Sequence, residues 1–388
     1  MDSVIEAFEK HYGYAPAGVW SAPGRVNLIG EHTDYNRGLC LPIALPQRAW
    51  AAVAPRDDGR FRLTSVEMSR TTDLELGEMT PGHPSGWAAY QAGVLWAMLR
   101  AGLPIGGVDA VMVSDVPIGS GLSSSAAVEG CLAVAVSDLY GLGLTGDDAG
   151  RAKLAVLCQQ AENEFVGAPT GGLDQTACLR SQAGHALLID FDDIDDAGMA
   201  SARPVPFDPP GLTLLVIDTK TSHTHASGEY GARRRACEAA TAALGVQSLR
   251  QITLAGLDEA LAQLDDAELI RAVRHVVTET ARVDEAVAAA EAGDWVRFGE
   301  LMDASHVSLR DDYRISCPEL DVSCQTARDA GAIGARMTGG GFGGSAIALV
   351  DAGLADDTSA AVVEAFRAKG WMAPDIFAVQ ASSPAGKC

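Results

Sequence analysis

Five stretches of this 388-residue chain carry residue types at spacings that could do chemistry. The strongest is 117–127, PIGSGLSSSAA, which the pattern places after a strand and at the opening of a helix. Glycines let a backbone approach a ligand closely. Unpaired amides at a helix start, joined by serine hydroxyls, favour an anion. The stretch therefore reads as a phosphate cradle, with an ordinary Gly-rich turn and serine cap as the plainer alternative. It is not a Walker loop, because the only Gly-Lys pair is Gly386-Lys387, followed by Cys388. The H-R-D and D-F-G signatures of protein kinases are absent as well.

The second stretch centres on Glu162, at the edge of an apolar helical stripe made by Leu154, Leu157, Cys158, Ala161 and Phe165. A carboxylate there is costly unless a cation or a donor meets it. Beside a phosphate cradle, Mg²⁺ fits, since that ion takes one or two protein oxygens and leaves the rest to water and phosphates. The alternative is an acid facing solvent beside Glu164. In the third stretch, Gly171 and Gly172 precede Leu173 and Asp174, and Asp174 taken alone reads more readily as a helix cap. The fourth runs from Ala22 to Asn36, where Glu31, His32 and Asp34 could hold a metal or take several hydroxyls of a polyol. No other metal-ligand cluster completes a site, so the polyol is preferred, against the competing reading of a polar turn. The fifth, 339–344, has five glycines in six positions, suiting close contact with a ligand or another backbone, or else a flexible loop. His223 and His225, on alternate positions, read as polar surface rather than a zinc pair.

The elements that must position these residues are mixed. Strands are expected around Trp50–Ala54, Asp109–Val113, Ala186–Ile189, Leu212–Ile217 and Ala346–Val350. Helical periodicity marks Arg151–Phe165, Ser125–Leu139 and Ala226–Leu244, and two helices are expected within Asp258–Ala292. The class is α+β. The acidic, Pro-rich stretch Asp190–Pro210 is expected to pack most weakly and to hold a boundary between domains at 1–205 and 206–388.

Composition narrows the partners. A chain 47% apolar and 21% charged can bury a core, while a net charge of −22 disfavours phosphate backbones and anionic lipid. Neither nucleic acid nor membrane is an expected partner. Residues 1–20 lack a basic start with an apolar run, and no uncharged apolar stretch reaches about 18 residues. The eight cysteines form no C-x-x-C pair and read as reduced thiols in core positions. These features suggest a cytoplasmic protein.

Together the motifs resemble those of the galactokinases, within the GHMP family of small-molecule kinases that includes homoserine, mevalonate and phosphomevalonate kinases. Segment 24–36, GRVNLIGEHTDYN, is similar to the galactokinase signature, 117–127 to the family's ATP loop, and 338–350, TGGGFGGSAIALV, to its third motif. The resemblance implies an N-terminal domain of ribosomal protein S5 domain 2-like type, a ferredoxin-like C-terminal domain and an active site between them. It implies transfer of the γ-phosphoryl of ATP to the anomeric hydroxyl of α-D-galactose. It also implies roles by position. Glu31, His32, Asp34, Gly171 and Tyr230 would contact the sugar. Gly119, Ser120, Gly121, Leu122, Ser123, Ser124 and Ser125 would wrap the ATP phosphates, and Ser125 with Glu162 would hold Mg²⁺. Asp174 matches the catalytic base and Arg25 the transition-state stabiliser.

Tyr230 lies in Ser227–Arg234, similar to the family's S-x-E-Y-x-x-R-R stretch, whereas Gly172-Leu173 departs from the bulkier residues many relatives carry before the base. The working expectation is a monomer acting on galactose and ATP. Two rivals stand beside it: a sibling kinase for N-acetylgalactosamine, galacturonate or arabinose, and a non-catalytic galactose sensor. Such sensors can lack a Ser and an Ala in the ATP loop, and this chain keeps Ser123-Ser124-Ser125-Ala126.

Overall fold

The computed structural model describes residues 2–222 and 226–388, so His223 and His225 lie outside the described residues. The first part of the chain contributes strands β1 (Gly18–Asn27), β2 (Leu39–Cys40), β3 (Pro42–Arg56), β4 (Arg60–Ser65), β5 (Arg70–Glu75) and β6 (Gly107–Ser114). Its helices are α1 (Asp2–Tyr12), α2 (Trp87–Arg100), α3 (Ser124–Leu139), α4 (Asp148–Gln160) and α5 (Leu173–Arg180). A hairpin follows, β7 (His185–Ile194) and β8 (Ala200–Pro206), then β9 (Leu212–Ser222). The rest comprises α6 (Ala226–Leu244), α7 (Leu257–Leu261), α8 (Ala267–Ala292), α9 (Trp295–Asp311), α10 (Pro318–Asp329), β10 (Gly334–Thr338), β11 (Gly343–Asp351), α11 (Ala355–Lys369), β12 (Asp375–Val379) and β13 (Gly386–Lys387).

The first sheet has the order β13-β1-β3-β6-β4-β5 and is antiparallel except between β4 and β6. Strand β3 is apolar on both faces because both are covered. Ala51 and Val53 join the main core with residues of α2, α3 and α4, while Ala52 and Ala54 meet Val4 and Phe8 of α1. The last residues of the chain return to this sheet, with β13 pairing along Trp20 and Ser21 of β1.

The second sheet, β10-β11-β9-β12, is antiparallel throughout. Counted along the chain, its order is fourth-first-third-second with helices after the first and third strands, the split arrangement of a ferredoxin-like unit. The α+β class and the ferredoxin-like expectation are both met. Its central strands are buried on two sides. Leu214, Val216, Ile347 and Leu349 point into the main core shared with the first sheet's layer, and Leu215, Ile217, Ala346, Ala348 and Val350 into a second core. Among the described residues no helix is long and apolar enough to cross a membrane.

All five expected strands and the expected helices form, with three differences. First, the region Asp190–Pro210, expected to pack most weakly, is largely exposed yet regular, holding the end of β7, the turn and β8 of a paired hairpin. Its acids Asp192, Asp193, Asp195 and Asp196 are exposed near the turn, while Ile189 of β7 and Val205 of β8 are fully buried in two different cores. Second, the helix expected to run unbroken through Phe165 ends as an α-helix at Gln160 and continues as a π-helical turn, Ala161–Val166. Third, the beginning of the segment open to reading as a polar turn, Ala22–Asn27, belongs to β1, whose residues from Val19 to Asn27 are all buried.

Because Ile347 belongs to the same core as Trp20 on β1, Ile347→Ala should cost about 2–5 kcal/mol. In urea titrations the tryptophan fluorescence and far-UV circular dichroism transitions should move together. A shift in one signal alone would show that the two sheets do not unfold as one unit.

Candidate active site

β1 brings Arg25 to the centre of the molecule, and the fit begins at its neighbour Gly24. A Cβ there would lie 2.7 Å from the Leu122 carbonyl oxygen, so only glycine lets β1 lean on the 117–127 loop. Arg25 N donates to that same carbonyl at 3.1 Å. The guanidinium then reaches two ways. Nη1 donates to Gly121 O at 2.6 Å, and Nε donates to Asp174 Oδ1 at 2.8 Å, with Nη2 2.6 Å from the same oxygen.

Asp174 stands in the first turn of α5, where the helix dipole favours a negative charge. It does not cap the helix, which is entered through Gly172 at φ 97°. Its second oxygen, Oδ2, accepts from Ser123 Oγ at 2.6 Å. Ser123 holds a left-handed backbone, φ 60°, at the start of α3. Three distant segments thus converge on one carboxylate.

Around this point lies a cavity of about 590 Å³. Its wall includes Arg25, Glu31, His32, Asp34, Gly119, Gly121, Leu122, Ser123, Ser124, Ser125, Glu162, Asp174 and Tyr230, most of the residues singled out from the sequence. Ser120 and Gly171 stand behind the wall. Ser120 is turned inward, its hydroxyl donating to Pro117 O at 2.8 Å. Gly171 is needed by Asp34, because a Cβ at 171 would collide with the Asp34 carboxylate.

The glycines of the third motif serve backbone contact, and two of them, Gly339 and Gly340, also line the cavity. A Cβ at Gly339 would sit 2.9 Å from Gly121 O, and one at Gly344 the same distance from Ser120 O. Ser345 Oγ donates to Ser120 O at 2.8 Å. The 339–345 segment is therefore a buttress for the cradle rather than a free loop.

The cavity is strongly acidic. Burial pushes the Asp34 carboxyl up to about 6, with the neighbouring Asp174 charge adding to it and backbone amides of Tyr35 and Leu173 opposing. Burial likewise pushes Glu162 up to about 7, with Asp174 again adding and hydrogen bonds from Gln175 and Ser125 opposing. Of the two acids at that turn, Glu162 is buried toward the site, and Glu164 is exposed and pairs with Arg100. The π turn widens the helix where Glu162 projects, a local device common at functional positions. Among the described residues no three or more His, Cys, Asp or Glu side chains are arranged to hold a metal by themselves.

Several contributors carry only faint sequence signals. Gln175 follows Asp174 directly and donates from Nε2 to Glu162 Oε2 at 2.5 Å and to Glu129 Oε2 at 3.3 Å. Glu129 is fully buried, and its one visible signal is an acid inside the otherwise apolar α3. Arg336 of β10 is also fully buried and donates from Nη1 to Asn27 O at 3.0 Å, with Nη2 3.0 Å from Glu31 Oε2. Gly339 N and Thr338 Oγ1 bind the other oxygen of Glu31 at 2.7 and 3.1 Å. The carboxylate of Glu31 is therefore held from the second sheet before any ligand arrives.

Comparison with known proteins matches this geometry. A family model described as the galactokinase galactose-binding signature matches residues 6–55, the GHMP kinase N-terminal domain matches 89–182, and the GHMP kinase C-terminal domain matches 286–368. The chain is 52% identical over 379 residues to a galactokinase of Streptomyces coelicolor, covering 97% of this chain and 95% of that one. It is 45% identical to one of Mycobacterium tuberculosis, covering 95% and 99%. The crystal structure of Lactococcus lactis galactokinase complexed with galactose superposes with a TM-score of 0.93 at 30% identity, covering 100% of this chain and 99% of that one. Mevalonate kinase of Methanococcus jannaschii, 19% identical with a TM-score of 0.60 over 94% of this chain and 98% of that one, shares the fold. An enzyme of phosphoryl transfer, this chain belongs to the galactokinase family of GHMP kinases.

Proposed function

We propose that the chain transfers the terminal phosphoryl group of ATP to the anomeric hydroxyl of α-D-galactose, giving galactose 1-phosphate and ADP. One observation carries the reading: Arg25, Asp174 and Ser123 meet at the wall of a single cavity, with the Gly- and Ser-rich cradle beside them and Glu31, His32, Asp34 and Tyr230 lining the same space.

In the reaction the sugar oxygen forms a bond to the γ-phosphorus while the bond from that phosphorus to the bridging oxygen breaks, and ADP leaves with the bonding electrons. The hydroxyl proton passes to the Asp174 carboxylate, which Arg25 and Ser123 hold in one orientation. Arg25 is fixed at Asp174 and Gly121 together, so its positive charge stands between the sugar-side carboxylate and the cradle, where negative charge develops. Backbone amides at the start of α3, with the hydroxyls of Ser124 and Ser125, suit the phosphates.

A Mg²⁺ ion fits the remaining donors. Glu162 presents one carboxylate and Ser125 one hydroxyl, a set of oxygens that leaves most positions to water and phosphate. When bound, the ion would neutralise phosphate charge beside an acidic wall.

All eight cysteines are free and seven are buried, in keeping with a reducing, cytoplasmic setting. A panel of galactose, N-acetylgalactosamine, galacturonate and arabinose with coupled ADP detection tests the substrate, and galactose should give the highest kcat/KM. Galactose-independent ATP consumption alone would remove the reading.

Asp174→Asn should lower turnover about 10²- to 10⁴-fold while calorimetry still finds ATP and galactose bound. Undiminished turnover would take the base role from Asp174. For Glu162→Ala, the Mg²⁺ concentration giving half-maximal rate should rise about tenfold or more. A magnesium titration superimposable on the parent's would remove Glu162 from the metal's surroundings.

A further inference from the structure

Gln175 is completely buried, does not line the cavity and has no part in the reaction as outlined above. Its amide nevertheless stands between two acids carried by different elements. Nε2 is 2.5 Å from Glu162 Oε2 on the π turn and 3.3 Å from Glu129 Oε2 on α3. The amide oxygen, Oε1, meets no donor among the described residues.

Charge decides which way this amide faces. A carboxylate that serves a cation is ionised, and an ionised carboxylate only accepts hydrogen bonds. The atom beside Glu162 Oε2 must then be the amide nitrogen. Turned over, the amide would press Oε1 against that oxygen, acceptor against acceptor, in a place without water to relieve them. An amide nitrogen carries two hydrogens, so one serves Glu162 while the other points to Glu129 and keeps the amide from rotating.

Glu162 depends on this contact. Its backbone is pinned, because its carbonyl accepts from Ala168 N at 3.0 Å where the π turn closes. The side chain beyond is long and rotatable. Ser125 also gives it a hydrogen bond, but that hydroxyl is the one whose oxygen would face the ion. Gln175 has no such second duty. It holds one carboxylate oxygen and so limits where the other can point.

The place from which Gln175 reaches out is fixed as well. It follows Asp174 directly in the first turn of α5, and Asp174 is tied to Arg25 and Ser123. Glu162 cannot move away from Asp174 without breaking the Gln175 contact. Phosphoryl transfer rests on positioning more than on covalent chemistry by the protein, so that spacing has consequences for rate. Resting on the reading of Glu162 as the metal-side acid of this site, we propose that Gln175 is a positioning residue. Through its hydrogen bond it holds the Glu162 carboxylate at a set place relative to Asp174, so that the metal-side acid and the base are held as one piece.

The test is Mn²⁺ titration of the full chain with a non-hydrolysable ATP analogue, free Mn²⁺ being read by electron paramagnetic resonance. Gln175→Met removes the donor, and Gln175→Glu keeps the shape but replaces the amide with an acid. Both should raise the Mn²⁺ Kd about tenfold. In a Glu162→Ala background, Gln175→Met should add less than about twofold, because its effect runs through Glu162. Galactose affinity by calorimetry should stay within about twofold of the parent's, a split that general loss of structure would not produce. If Gln175→Met folds poorly, the nearly isosteric Gln175→Glu decides, alone and in the Glu162→Ala background. Parent-like Mn²⁺ affinity in both variants beside a weakened Glu162→Ala overturns the proposal alone, as does an equal loss with and without Glu162. Parent-like Mn²⁺ affinity in Glu162→Ala itself overturns the metal reading, and the proposal falls with it. No sugar enters the titration, so a substrate other than galactose leaves the result intact.

Discussion

The ion pair between Arg25 and Asp174 is the contact on which the rest of the structure depends. It joins a strand of the first sheet to the first turn of α5, and Arg25 extends it to the cradle through Gly121 O. The guanidinium side chain is nearly buried, while the carboxylate keeps an open side toward the cavity. Desolvating a lone Arg there would be costly, so the pair and its carbonyl partner must form together. Their meeting brings the loop 119–125 against β1, and every other feature of the site is arranged around that junction. Gly24 allows the approach, Gly339 and Gly344 brace the loop from behind, and Gly171 leaves room for Asp34.

A second constraint is the concentration of acids. Glu129 and Glu162 are both lifted above the usual carboxylate range, chiefly by burial, and each raises the other or is raised by a neighbouring acid. A site with this balance is incomplete without cations and donors, which suits a metal-bound nucleotide and a polyhydroxylated sugar better than an apolar ligand. In the same acidic wall, Glu31 is clamped by Arg336 of β10. Fixed donors from β10 and from residues 338–339 hold one carboxylate in place, and Glu279 takes the Gly30 amide at 3.0 Å beside it.

Much of this was legible in the sequence because the chemistry is written in short spacings. The glycines and serines of 119–125, and Glu31, His32 and Asp34, sit within a few residues of one another, so local pattern alone marks them. The ends and widths of elements were less legible. The π turn at Ala161–Val166 depends on how Phe165 and Ala161 pack against α2, and no periodicity within the helix encodes that. Of the hairpin, β7 was legible at Ala186–Ile189, while its partner β8 was hidden beyond the exposed acidic turn. Least legible were residues whose meaning is set by a distant partner. Gly171 is a glycine because of Asp34, Gly24 because of Leu122, and Arg336 is buried because of Glu31 and Asn27. The five glycines at 339–344 left ligand and backbone contact open, and the structure keeps both, with Gly339 and Gly344 packed on the cradle backbone and Gly339 and Gly340 lining the cavity.

The most direct measurement is a crystal structure with galactose and a non-hydrolysable ATP analogue bound together. The sugar's anomeric oxygen should lie within hydrogen-bond distance of Asp174 and in line with the terminal phosphorus, with Arg25 contacting both Asp174 and the phosphate side. A sugar seated away from Asp174, or a nucleotide whose phosphates avoid residues 119–125, would contradict the account.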